Sequence, residues 1–154
     1  MWRLGLCVFL IFCMSYFTKA FRPLVRQSRT GTRLMATEVR KMDIQKFGDI
    51  IKDSSARSLY QIVDVREADE LARSRLSGDD IMHLPLSTSG EWTQDIEMGK
   101  ILDSDKPVLC LCRAGARSAQ LAGFLASKDF AEVYNVEGGM LAYYANVDNS
   151  VGQP

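Results

Sequence analysis

The chain has 154 residues, with 19 basic and 19 acidic side chains and a formal net charge of zero. The balance is uneven, because residues 1–40 hold seven of the basic groups and one acidic group, leaving residues 41–154 with 12 basic and 18 acidic ones. An acidic domain lacks the basic face that nucleic acid or an anionic membrane needs, so neither is expected as a partner once the leader is gone.

The chain opens with Arg3 ahead of a largely apolar run over residues 4–17, and Thr18-Lys19-Ala20 supplies small residues before a cleavage point. That layout predicts a signal peptide over residues 1–20. The run is shorter than the roughly 20 apolar residues that span a bilayer. Residues 21–38 then bring Arg22, Arg26, Arg29 and Arg33 with Ser28, Thr30 and Thr32, and no acid before Glu38. This is the composition of a transit peptide, or of a basic propeptide in a secreted protein. With phenylalanine at the junction (Ala20-Phe21-Arg22-Pro23), the tandem resembles the bipartite presequence of algae with secondary plastids. That resemblance implies a plastid destination by the secretory route, with the mature chain starting between Phe21 and Lys41. Initiation at Met35 stays open.

From residue 39 apolar runs alternate with helical patterns. Asp43 caps a helix carrying Ile44, Phe47, Ile50 and Ile51 on one face. Residues 54–58 read as a polar turn, residues 59–63 as a buried strand with Asp64-Val65-Arg66 at its carboxyl end, and residues 67–73 as a short helix. A turn over residues 77–80 leads into a strand at residues 81–84, stopped by Pro85. A helix over residues 89–101 turns Trp92 and Ile96 inward. Val108-Leu109-Cys110-Leu111 is the most apolar strand, a helical pattern begins at Ala116, and a last strand covers residues 133–136. Gly138-Gly139 turns into a helix over residues 140–146, and residues 148–154 form an extended, partly frayed tail. The alternation predicts one α/β domain over residues 39–147, a mostly parallel sheet of four to five strands flanked by helices.

Cys112-Arg113-Ala114-Gly115-Ala116-Arg117-Ser118 joins the apolar strand to the following helix. Ligands of open α/β sheets gather at the carboxyl ends of strands, and helix N-termini favour anions. Two arginines and a helix start lower a cysteine pKa, and Gly115 lets successive amides face one point. Cys112 is therefore the expected nucleophile. Cys110 lies inside the strand and reads as a core residue on the same face. With Cys7 and Cys13 in the leader, no disulfide framework remains, and a lone His83 gives neither a zinc-ligand spacing nor catalytic-triad machinery. No metal or cofactor is expected.

These residues resemble the rhodanese-like family. Residues 112–118 are similar to its active-site loop, and Ile62-Val63-Asp64-Val65-Arg66-Glu67, Leu84-Pro85-Leu86 and Tyr134-Asn135-Val136-Glu137-Gly138-Gly139-Met140 fall in the family's order. The resemblance covers residues 42–146. It implies a sulfurtransferase carrying a persulfide on Cys112. A small anionic sulfur donor such as thiosulfate would be bound by Arg113, Ala114, Gly115, Ala116, Arg117 and Ser118. The acceptor would be cyanide or a thiol, on a small molecule or a protein. Asp64 and Arg66 would support the neighbouring strand end. The same fold also hosts interaction modules without chemistry, and thiol-dependent phosphatases or arsenate reductases. Phosphatase-type loops place five residues between cysteine and arginine, whereas here residues 113–116 are four. One stretch departs from the pattern: at residues 75–80 the family has Gly-His-Ile-Pro-Gly-Ala, and here Arg75 stands where the histidine would be.

Overall fold

The computed structural model describes residues 37–154. The signal and transit segments expected over residues 1–38 lie outside the described residues as far as residue 36.

Five strands, β1 (Val39–Met42), β2 (Gln61–Asp64), β3 (Ile81–His83), β4 (Val108–Leu111) and β5 (Val133–Val136), form one sheet in the order β1-β5-β4-β2-β3. Every neighbouring pair is parallel. The helices among the described residues are α1 (Ile44–Lys52), α2 (Ser54–Arg57), α3 (Ala68–Arg73), α4 (Ser89–Glu97), α5 (Ala116–Ser127) and α6 (Gly139–Asn146). A parallel sheet needs both faces covered, which is why its central strand reads as an unbroken apolar run rather than an alternating one. In β4 the alternation is between two cores. Val108, Cys110 and Cys112 join Trp92, Ile96, Leu121 and Leu125 on one side. Leu109 and Leu111 join Phe47, Ile50, Met140 and Tyr143 on the other. Cys110 and Cys112 thus share a face, as the strand period requires.

Beyond β2, Asp64 and Arg66 are both buried and meet in a forked ion pair, with Nε and Nη2 of the arginine 2.7–3.0 Å from the carboxylate oxygens. The remaining arm donates to the Ser74 carbonyl at the end of α3. One buried charge therefore ties a strand end to the helix that follows it. Removing either partner would strand the other away from water, a change that typically costs about 3–5 kcal/mol.

Several elements differ from the sequence reading, each for a local reason. The polar turn at residues 54–58 closes into α2, because the Asp53 carboxylate accepts from the amides of Ser55 and Ala56. The strand expected from residue 59 starts at Gln61, and Leu59 is 64% exposed. Helix α4 ends at Glu97, where Gly99 at φ +67 turns the chain and donates to the Ile96 carbonyl. The tail is docked rather than frayed. Asp148 caps a 3-10 turn at Asn149–Val151, and the Val151 carbonyl accepts from the Arg75 amide. In the atypical stretch after α3, Arg57 bonds Asp80 and the Ser77 carbonyl. Those residues lead into the amino end of β3, whereas Cys112 follows the carboxyl end of β4.

Strand β1 pairs with β5 along its whole length, from Val39 opposite Val133 to Met42 opposite Val136. Cleavage within it would remove part of a sheet edge, so of the expected starts from Phe21 to Lys41 those before Val39 are the ones that keep the sheet whole. N-terminal sequencing of the protein from its native source should return a start between Phe21 and Glu38. A start inside β1, or intact Met1, would contradict this.

Candidate active site

The loop between β4 and α5 is shaped by what holds its carbonyls. Those of Cys112 and Arg113 point at the start of α6 and accept from the amides of Met140 (2.9 Å) and Leu141 (3.0 Å). The contact is this close because Gly139, at φ +56, has no side chain; a Cβ there would strike the Cys112 carbonyl and the Arg113 backbone. With those carbonyls turned outward, the following amides turn in. Gly115, at φ +96, completes the curl just before α5.

Cys112 Sγ is the focus of this curl. It accepts from the Gly115 amide at 3.0 Å, and the Ser118 hydroxyl oxygen lies within hydrogen-bond reach at 3.2 Å. The residue is only 1% exposed. Burial opposes the charged form, but the Ser118 hydroxyl and the amides of Ser118, Ala114 and Gly115 outweigh it, and the thiol sits below its ordinary value. Cys110 has no such donors; burial first, and the neighbouring sulfur second, push its thiol up. Both cysteines are free.

The arginines are placed differently from one another. Arg113 is exposed, its Nη2 3.5 Å from the Pro154 carbonyl oxygen. Arg117 is half-buried and clamps Glu70 through two 2.7 Å bonds, Nη1 to Oε2 and Nη2 to Oε1. Glu70 in turn accepts from the Glu67 amide in the capping box of α3. The carboxylate that engages Arg117 is not marked in the sequence, because Glu67 at the N-cap position is not one of the residues that signal a capping box. The donors on the sulfur are neutral groups, where the sequence reading gave the arginines a leading part. Ala114 and Ala116 are exposed and Gly115 and Ser118 buried. Asn135, noticed only as part of the motif on β5, reaches the loop: its Nδ2 donates to the Gly115 carbonyl at 3.1 Å, and its Oδ1 lies 2.7 Å from Ser118 Oγ. His83 is half-buried, with Nε2 2.7 Å from the Arg66 carbonyl. Among the described residues no group of three His, Cys, Asp or Glu side chains is placed to hold a metal.

A parallel α/β sheet with a cysteine-centred amide loop at its carboxyl edge defines the class, and comparison with known proteins gives the family. The model of the rhodanese-like domain matches residues 45–146, and the chain belongs to that family. It is 34% identical over 113 residues to the rhodanese-like/PpiC domain-containing protein 12, chloroplastic, of Arabidopsis thaliana, covering 73% of this chain but 36% of that one. It is 34% identical over 92 residues to the Bacillus subtilis protein named "Putative sulfurtransferase YtwF", covering 60% of this chain and 80% of that one. A solved rhodanese-related protein from Thermoplasma volcanium superposes with a TM-score of 0.52 at 29% identity, over 69% of this chain and 91% of that one.

The Glu70–Arg117 pair gives a pH signature. Hydrogen bonding from Arg117, against a smaller upward push from burial, draws the Glu70 carboxyl from 4.5 down to about 2. A carboxyl lowered by folding adds stability that is complete above about 4.5 and is lost as the pH falls through about 2. Glu70→Gln should flatten the acid limb of a stability-against-pH curve across that window. Superimposable acid limbs would show that the pair carries no such linkage.

Proposed function

We propose that this chain is a sulfurtransferase that carries a sulfane sulfur as a persulfide on Cys112. The observation that supports it best is the setting of Sγ, which accepts from the Gly115 amide with the Ser118 hydroxyl in reach of the thiolate, in a loop whose amides face inward. The thiolate attacks the outer sulfur of a donor such as thiosulfate, a sulfur–sulfur bond forms at Sγ, and sulfite leaves with the electron pair of the bond that breaks. An acceptor thiolate or cyanide then attacks the outer sulfur, and Cys112 departs as thiolate. A lowered pKa supplies the nucleophile without a general base, which suits a site where no histidine hydrogen-bonds the sulfur.

In this reading the inward amides between Ala114 and Ser118 receive the anionic part of donor and persulfide, and exposed Arg113 is the cation open to an arriving anion. Arg117 acts from behind Glu70, its guanidinium charge still felt at Cys112. The name of the Bacillus subtilis relative supports the sulfurtransferase class; thiosulfate as donor is part of the proposal. The proposed destination is the plastid, reached by the secretory route. The leader composition and the chloroplastic name of the Arabidopsis relative support it, and secretion is the competing outcome.

Turnover of thiosulfate and cyanide to thiocyanate tests the chemistry. Cys112→Ser should abolish it, because a serine hydroxyl with no adjacent base is a poor nucleophile. Cys110→Ala should keep most of it, with a loss confined to core repacking. The reverse pattern would overturn the assignment of the nucleophile. A folded wild-type protein inert toward every sulfane donor would favour an interaction module.

A further inference from the structure

Ser118 stands among three acceptors. Its Oγ is 2.7 Å from Asn135 Oδ1, 3.2 Å from Cys112 Sγ and 3.2 Å from the Gly115 carbonyl oxygen. A serine hydroxyl has one proton, so it serves one of these at a time. The Gly115 carbonyl already receives Asn135 Nδ2 at 3.1 Å and the Ala119 amide at 3.2 Å. Those bonds fix which way the asparagine amide faces: Nδ2 toward the carbonyl, Oδ1 toward Ser118. The contest for the proton is therefore between Asn135 and the sulfur. Asn135 lies on β5 paired opposite Cys110, so the sheet, and not the loop, sets its position.

We propose that Asn135 is a positioning residue for Cys112, holding the Ser118 proton while Sγ is uncharged and releasing it to Sγ when the thiolate forms. At 2.7 Å the contact with Oδ1 has the usual length of a good O–H···O bond, and an uncharged thiol sulfur is the weaker acceptor of the two, so the proton rests on the asparagine side while Sγ is neutral. A charged acceptor binds a donor more strongly than a neutral one, so ionisation of the sulfur tips the balance. No proton leaves the oxygen; the O–H rotates, and the site's charge changes only by that on sulfur. In the persulfide cycle the switch comes when the acceptor takes the outer sulfur and Sγ leaves with the electron pair of the broken bond. The Ser118 hydroxyl then turns onto the departing thiolate.

The place of this switch in the cycle rests on the persulfide reading. The test reads ionisation of Cys112 rather than sulfur transfer, so the two can fail separately. Thiolate absorbance in the ultraviolet is followed against pH, with Cys112→Ser as the blank. Asn135→Leu removes the competing acceptor and should move the midpoint down by about half a pH unit or more, the size of one hydrogen bond. The same substitution in a Ser118→Ala background should leave the midpoint where Ser118→Ala alone puts it. Asn135→Ala carries the same expectations and serves if the leucine variant does not fold. An unmoved midpoint in the folded single variant, or an equal downward shift without the Ser118 hydroxyl, would overturn the proposal.

Discussion

The loop around Cys112 depends on a contact made by a different part of the chain. The Cys112 and Arg113 carbonyls are held by the first amides of α6, across a gap that only a glycine at position 139 leaves open. If those carbonyls turned inward, the sulfur would face oxygen lone pairs instead of N–H groups. The geometry around Cys112 is thus fixed jointly by β4, which delivers the residue, and by α6, which sets the direction of its peptide groups. Strand β5 adds the third restraint through Asn135, whose Nδ2 donates to the Gly115 carbonyl.

The electrostatics of the loop follow from this. A sulfur buried to 1% exposure should resist ionisation, yet the net shift is downward because hydroxyl and amide donors are packed around it. Neutral donors held by the fold do not weaken with salt as an exposed charge would. Pairing Arg117 with Glu70 also spares an acidic domain a loose cation beside its only ionisable sulfur of lowered pKa, and fastens α5 to α3. The loop and the strand end at Asp64–Arg66 are therefore braced by separate ion pairs, one half-buried and one wholly buried.

Much of this was legible in the sequence, for identifiable reasons. Strand β4 and the start of α5 were legible to the residue, because an unbroken apolar run ending in a small-residue loop admits few alternatives, and β5 was legible between its two valines although Asn135 interrupts it. A mostly parallel sheet of four to five strands followed from the alternation of elements, and the structure has five, all parallel. Strand β1 was not separated from the leader, since Arg40 and Lys41 break its apolar pattern and its stability comes from pairing with β5 at the far end of the chain. Cys112 stood out by its neighbours. Glu70 and Asn135 did not, because what matters about them is spatial: each meets the loop from an element distant in sequence, 47 residues from Arg117 and 17 from Ser118. The docking of the tail on Arg75 was hidden for the same reason.

The central claim is that one sulfur, and this one, becomes a carrier. The most direct measurement is the intact mass of the protein after incubation with thiosulfate and removal of the excess, followed by peptide mapping. The account predicts a gain of a single sulfur atom, located on the peptide at Cys112 and discharged by cyanide. A gain located on Cys110, or a mass unchanged by every sulfane donor tried on the folded protein, would contradict it.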